Sequence, residues 1–208
     1  MPNKQLKAFS LVEVLVTILL SSIVIAGAYS SYQMVDLQYI KNKEISDMHT
    51  QGRAVMRILE RDIRMAGFEY RDKNGNIVKG GISKPIEINN RCSDKCRDEI
   101  TIIYDYYDEE LKKLERIKTK YYYNHHYLMK NQSVLSGNSW VKRSKFSLDK
   151  MSKIDNLQFK HSTLADNIID ITFSMKTTSK YISRFSSNKD YISEFFSSAA
   201  LVRNMKHE

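Results

Sequence analysis

The residue with the clearest chemical potential is Glu13, the one charged side chain in the stretch FSLVEVLVTILLSSIVIAGAY, Phe9 to Tyr29. An ionised carboxylate inside an apolar helix costs on the order of 3 kcal/mol when no partner or water is near. Glu13 therefore needs a positive neighbour or access to water. Cleavage of the chain between Ala8 and Phe9 would supply one, because it frees an α-amino group one helical turn from Glu13.

Cys92 and Cys96 are the only cysteines, spaced CSDKC. The apolar stretch with Lys4 and Lys7 before it predicts that both cysteines lie outside the cytoplasm. An oxidising compartment there favours a disulfide between them. The loop is small, so its stabilisation falls at the low end of ~2–4 kcal/mol. A zinc site would need two further ligands, and the adjacent His125 and His126 lack ligand spacing. The disulfide is the preferred interpretation, with a metal site and two free thiols as alternatives.

Catalytic motifs are absent from the sequence: it contains no P-loop, no G-x-S-x-G and no H-E-x-x-H. His125 and His126 with Asp105 are the one candidate group, and histidines in a tyrosine-rich strand are usually ordinary surface or core residues. We expect a non-enzymatic protein without a cofactor or metal.

Basic and aromatic residues alternate in KTKYYYNHHYLMK, downstream of Arg116. Such a pattern can bind DNA through phosphate contacts and base stacking, with Lys118, Lys120 and Lys130 as the contacts. The alternative is a sheet in which tyrosines pack across strands and lysines protect an edge. The formal charge of +9 permits anionic partners and does not choose among them.

The apolar stretch also has the length of a membrane span. As a helix, Phe9 to Tyr29 would reach ~31 Å, the thickness of a bilayer's hydrocarbon core. Lys4 and Lys7 precede it without an acid, which predicts a cytoplasmic N-terminus and a chain that continues across the membrane.

The helical pattern continues beyond Tyr29, because no proline follows until Pro85. Apolar positions recur at spacings of three and four, with Asp62 or Ile63 at one step. They are Ile45, Met48, Gly52, Val55, Leu59 and Ala66. We predict one helix from about Phe9 to Ala66, apolar all round and then one-sided, ending at Gly67. Gly27 marks either a softening point or close helix packing.

The remaining chain alternates turn signals with strand-like runs. Turns are predicted at residues 72–76 and 80–81, and a hairpin tip at residues 108–115. Strands are predicted at residues 98–110, 116–131, near 140, 154–161, 167–181 and 192–206. The domain boundaries are then a leader at 1–8, a transmembrane and assembly part at 9–29, an amphipathic helix half at 30–67 and a β-rich head at 68–208.

The junction KA before FSLVE resembles the class III leader of type IV prepilins, in which Glu occupies the fifth mature position. The family usually has Gly before the cut, and this chain has Ala8. The resemblance implies that prepilin peptidase cleaves between Ala8 and Phe9 and N-methylates Phe9. It also implies that Glu13 neutralises a neighbouring subunit's amino end during assembly. The alternatives are a secretory signal peptide, with a mature start at Tyr29, and an uncleaved signal anchor.

A second segment, QGRAVMRILERDIRMAGFEY, resembles PilW-type minor pilins and, more loosely, J-type pseudopilins. The matching residues are Gly52, Arg53, Leu59, Asp62, Ile63, Arg64, Ala66, Gly67 and Phe68. Read without the resemblance, Asp62 and Arg64 are ordinary solvated helix charges. The resemblance implies a pilin fold of the α+β class, a long N-terminal helix packed on an antiparallel β-sheet head.

The same resemblance implies the function, partners and location. A minor pilin of this type assembles through its N-terminal helix and helps to initiate or tip the pilus. Its partners are prepilin peptidase, other major and minor pilins, the inner-membrane assembly machinery and, before assembly, inner-membrane lipid. It would sit in the inner membrane of a Gram-negative bacterium, N-terminus in, and then in a surface pilus. The alternatives are a pseudopilin of type II secretion and a DNA-uptake pilin.

Overall fold

The fold consists of one long helix followed by eight strands, in a computed structural model that describes residues 10–92, 97–109, 112–125, 127–147, 153–183 and 186–204. The chain divides into two units, residues 1–44 and 45–208. The elements are α1 (Leu11–Met65), β1 (Ile86–Asn89), β2 (Glu99–Asp108), β3 (Lys113–Asn124), β4 (Tyr127–Ser136), β5 (Ser139–Ser147), β6 (Lys153–His161), β7 (Ile168–Ser183) and β8 (Ser186–Leu201). The predicted α+β class, a long helix followed by antiparallel sheets, is confirmed.

The helix α1 is continuous from Leu11 to Met65 and runs through Gly27 without a break. The prediction of one helix is therefore confirmed over the described residues. The predicted first residue, Phe9, lies outside them. The helix ends where predicted, because Gly67 has a φ of +74°, a left-handed conformation that glycine adopts without steric cost.

The strands form two antiparallel sheets in which each strand pairs with its neighbours along the chain. The first sheet contains β1 to β5 and the second contains β6 to β8. A predicted single strand at residues 116–131 is wrong. It divides into β3 and β4 at His125, where φ is +46°. Strand-forming tyrosines stand on both sides of this turn, and no Gly or Pro marks it in the sequence. The last strand also begins earlier than predicted, at Ser186 instead of Ile192.

The core of residues 45–208 lies between the second part of α1 and both sheets. The helix contributes the predicted apolar stripe to this core. The sequence pattern allowed either Asp62 or Ile63 at one step of the stripe, and both are buried. The alternation predicted for β7 is confirmed, because all four apolar residues on one face are fully buried: Ile169, Ile171, Phe173 and Met175. At Gly52 the helix comes so close to β8 that a Cβ would lie 2.2 Å from the Phe196 ring.

Gly67 joins the end of α1 to the first sheet. Its N–H donates to the Ile103 carbonyl at 2.9 Å, and a Cβ at this position would lie 2.7 Å from the carbonyl oxygen of Asn204. Asn204 in turn donates its side-chain amide to the Ala66 carbonyl at 3.5 Å. The glycine is therefore required both for its φ and for the close approach of the C-terminal segment.

We predict that Gly67→Ala destabilises the head more than Gly75→Ala does. Both positions have positive φ, +74° and +84°, and nothing lies within 4 Å of a Cβ at Gly75. Gly75→Ala should cost about 1–2 kcal/mol for left-handed backbone alone, and Gly67→Ala should cost more because of the contact with Asn204. Urea unfolding of the full chain in detergent measures both. Equal losses would mean that the close approach at Gly67 carries no energy.

Candidate assembly site

The first turn of α1 is held by a reciprocal pair of side chains, Ser10 and Glu13. The Val12 N–H donates to Ser10 Oγ at 3.2 Å, and the Ser10 N–H donates to Glu13 Oε2 at 3.4 Å. Two donors that a helix N-terminus leaves unpaired are thus satisfied, as in the capping box S-x-x-E. Sequence reasoning missed Ser10, although the spacing of SLVE carries this signal.

The side chains of residues 11–29 form an apolar surface in which Glu13 is the one charged group. Large apolar side chains are exposed along this whole segment, from 76% at Leu11 to 62% at Tyr29. Within the described residues, this helix is the one that is long and apolar enough to cross a membrane. An apolar surface of this extent requires lipid or protein around it.

Hydroxyl side chains within this segment bond to the helix itself. Thr17 donates to the Val14 carbonyl at 2.8 Å, and Ser22 donates to the Leu19 carbonyl at 2.7 Å. These hydroxyls therefore need no water, which suits burial in lipid or against another helix.

The N-terminal region, including the first part of this helix, matches a known family model. Residues 3–29 match the prokaryotic N-terminal methylation motif. The chain carries a type IV pilin-like leader. No curated protein and no solved structure matches the chain significantly. The leader motif supports a type IV pilin-like or pseudopilin protein, and the apolar helix that follows supports a membrane anchor.

The residues predicted for processing, Ala8 and Phe9, lie outside the described part of the chain. Cleavage between Ala8 and Phe9 and methylation of Phe9 therefore stay predictions. The same holds for the disulfide, because Cys96 lies outside the described residues, and for His126. Cys92 lies close to Asp98, with its Sγ 3.5 Å from Oδ1.

Asp98 is fully buried and connects Arg91, the residue before Cys92, to the second sheet. Its Oδ1 accepts the Arg91 N–H at 2.8 Å, its Oδ2 accepts the Phe159 N–H at 3.1 Å, and its own N–H donates to the Leu157 carbonyl at 3.0 Å. The cysteine-containing loop therefore begins and ends next to a fixed carboxylate.

Asp62 is not a solvated helix charge, and that interpretation is wrong. Its side chain is 4% exposed and its Oδ2 accepts from Lys130 Nζ at 2.6 Å and from the Tyr121 hydroxyl at 2.5 Å. Burial and the neighbouring Asp62 charge raise the pKa of Tyr121, so its hydroxyl stays protonated as a donor. The group ties α1 to β3 and β4. A stripe position occupied by Asp was the signal that a partner must face it.

Lys130 cannot contact DNA as predicted, because it is buried on the inward face of β4 beside Leu128. Arg116 is also buried. It binds Asp105 through two bonds, Nε to Oδ1 at 2.7 Å and a terminal nitrogen to Oδ2 at 3.1 Å, and Asp105 is thereby removed from the candidate catalytic group. The period of two places Lys130 on the inward face of β4. Arg116 and Asp105 lie on the opposite face of the first sheet, where the loop after α1 covers them: Arg116 donates to the Gly80 carbonyl at 2.7 Å, and Asp105 accepts the Tyr70 N–H at 3.2 Å.

Lys118 and Lys120 do lie on the outward face of β3, between the buried Ile117, Thr119 and Tyr121. Lys118 Nζ lies 4.7 Å from the centre of the Trp140 ring, and Lys120 pairs with Glu99 at 2.8 Å. DNA contact stays a prediction, with two of its three lysines on the surface. Among the described residues, no group of three or more His, Cys, Asp or Glu side chains could hold a metal ion.

We predict that Lys130→Met destabilises the head by about 3 kcal/mol, because the buried Asp62 carboxylate is then left with Arg61 as its cation, and the Arg61 side chain is 71% exposed. The double variant Asp62→Leu/Lys130→Met should lose less, since no charge remains buried. Lys120→Met is the matched control on the opposite face, where the Lys120 side chain is 40% exposed and Glu99 keeps Arg91 as a second partner, so the loss should be about 0–1 kcal/mol.

Chemical unfolding of the full chain in detergent measures all three variants. A double variant that is at least as unstable as Lys130→Met would show that the loss comes from packing and not from the buried Asp62 charge.

Proposed function

We propose that this protein is a minor pilin of the PilW type, which assembles through α1 and helps to initiate or tip a pilus. The observation that carries the proposal is the methylation motif at residues 3–29, which continues into a helix whose residues 11–29 expose apolar side chains all round. A secretory signal would leave no use for such a helix after cleavage. In an assembly helix this apolar surface has two uses, first in lipid and then against other subunits.

In this mechanism the chain first rests in the inner membrane, with the leader in the cytoplasm and the head outside. Prepilin peptidase cleaves after Ala8 and methylates the new N-terminus at Phe9. Apolar contacts between helices then supply the affinity that draws the subunit into the fibre. The inner-membrane assembly machinery and other pilins are the partners of this step.

Glu13 has two roles in the proposal. In the single subunit its carboxylate caps the first turn through Ser10, and in the assembly it pairs with the amino end of a neighbour's Phe9. A desolvated ion pair roughly breaks even against its desolvation cost, so the pair fixes register more than it adds affinity. The PilW-type assignment itself is supported by the resemblance of Gln51 to Tyr70, and a J-type pseudopilin is the alternative.

We predict that the mature protein begins at Phe9 with a methylated amine. Intact-mass measurement and N-terminal sequencing of protein extracted from membranes will decide, in a host with active prepilin peptidase. A start at Tyr29 would instead identify a secretory signal peptide. An intact Met1 in that host would contradict the pilin-like route.

The two roles of Glu13 can be separated, because glutamine fills the same capping position as glutamate and carries no charge. We predict that Glu13→Gln is cleaved normally and is incorporated into fibres as poorly as Glu13→Ala. Ser10→Ala, which removes a cap worth about 1 kcal/mol, should be incorporated nearly normally. Immunoblotting of sheared fibres against the membrane fraction measures incorporation. Normal incorporation of Glu13→Gln would leave capping as the function of Glu13 and overturn the ion-pair role.

A further inference from the structure

A groove of about 540 Å³ opens beside the last turns of α1, within residues 45–208. Four arginines contribute to its lining: three lie on the helix at spacings of four and three residues, and one lies in the C-terminal segment. They are Arg57, Arg61, Arg64 and Arg203. Such spacing places the three helix arginines on one side of α1.

The positive charge of this groove is not neutralised from within. Glu60 is the one acid in its lining. That carboxylate already accepts a short hydrogen bond from Ser198 Oγ and lies 3.7 Å from Arg64. Within the described part of the chain, the side chains of Arg57 and Arg203 form no ion pair or hydrogen bond, and both are exposed.

The remaining arginines keep most of their donors available. Arg61 pairs through Nε with Asp62 at 3.2 Å, yet its side chain is 71% exposed. A planar guanidinium binds carboxylates through two parallel bonds, so several in one groove select a ligand rich in such groups.

Apolar surface lies next to these charges. Met65 is 36% exposed and Phe68 is 38% exposed, and both line the groove. The backbone of Phe68 is fixed to β2, because its carbonyl accepts the Asp105 N–H at 2.8 Å. A ligand that fits both features carries acidic groups beside an aromatic or aliphatic side chain.

We propose that this arginine groove binds an acidic, partly apolar peptide segment of a partner subunit. The inference rests on the proposed assembly function, which requires a head surface that recognises other subunits. Charge complementarity identifies the occupant: four arginines line a groove whose one acid, Glu60, is already bonded, and the side chains of Arg57 and Arg203 have no acidic partner among the described residues. A short groove with an apolar side suits a peptide better than nucleic acid, which binds along an extended track of cations.

The test uses the processed full-length protein in detergent and a fluorescent peptide in which glutamate alternates with phenylalanine. We expect saturable binding that weakens as salt rises, and at least tenfold weaker binding by Arg57→Gln/Arg203→Gln. The control Lys73→Gln/Lys142→Gln removes the same charge from exposed positions elsewhere on the head and should bind as the wild type does. Both pairs lie on the surface, and circular dichroism confirms that each variant is folded.

Glu13→Gln separates this inference from the assembly role of the helix, because it should leave peptide affinity unchanged. Equal peptide affinity of the two double variants, or no binding by the wild type, would overturn the groove proposal and leave the pilin proposal standing. A thymidine octanucleotide is the competing probe. Tighter binding of the oligonucleotide, lost in Arg57→Gln/Arg203→Gln, would reassign the groove to nucleic acid and overturn the peptide proposal.

Discussion

The structure depends on one constraint: a single helix must satisfy two different environments along its length. Residues 11–29 expose apolar side chains in every direction, whereas residues 45–65 bury an apolar stripe and expose their charged side. In water the first part would leave a large apolar surface uncovered, and in lipid the second part would strand its arginines. The change in side-chain pattern therefore suits the first part of α1 to an apolar environment and the second part to the interface between the head and water. The helix begins after the Ser10 cap and ends before Gly67.

Within the head, burial of the helix stripe brings a carboxylate with it. Asp62 lies among apolar side chains and is held by Lys130 and Tyr121 from the facing sheet. A buried pair of this kind adds little net stability compared with apolar residues, yet it penalises any register in which the partners fail to meet. Arg116 and Asp105 do the same between β2 and β3, where they are paired residues in the strand register. These pairs fix how the helix and the hairpins meet.

Much of the architecture could be predicted from periodicity. The apolar run, the stripe from Met48 to Ala66 and the alternation of β7 all follow from the period of a helix or a strand, and burial confirms them. The failures have a common cause. Lys130 was interpreted by residue type, as a cation that contacts DNA, although its position in the period of β4 pointed inward. Asp62 was one of two candidates for a step of the stripe, and its interpretation as a solvated charge also rested on residue type. The turn at His125 was missed because no Gly or Pro marks it, and its positive φ is set by the pairing of β3 with β4.

The segment that resembles PilW-type minor pilins has structural reasons for many of its residues. Gly52 admits the Phe196 ring, Asp62 binds Lys130, and Gly67 turns the chain into the first sheet. Its resemblance therefore reflects how a helix of this kind joins its head, a requirement that different pilin-like machines can share. Residues without such a reason carry more information about partners. Arg57 lies on the exposed side of the same segment, and the packing of the head does not explain it, so the partner-specific surface is to be sought on that side of the helix.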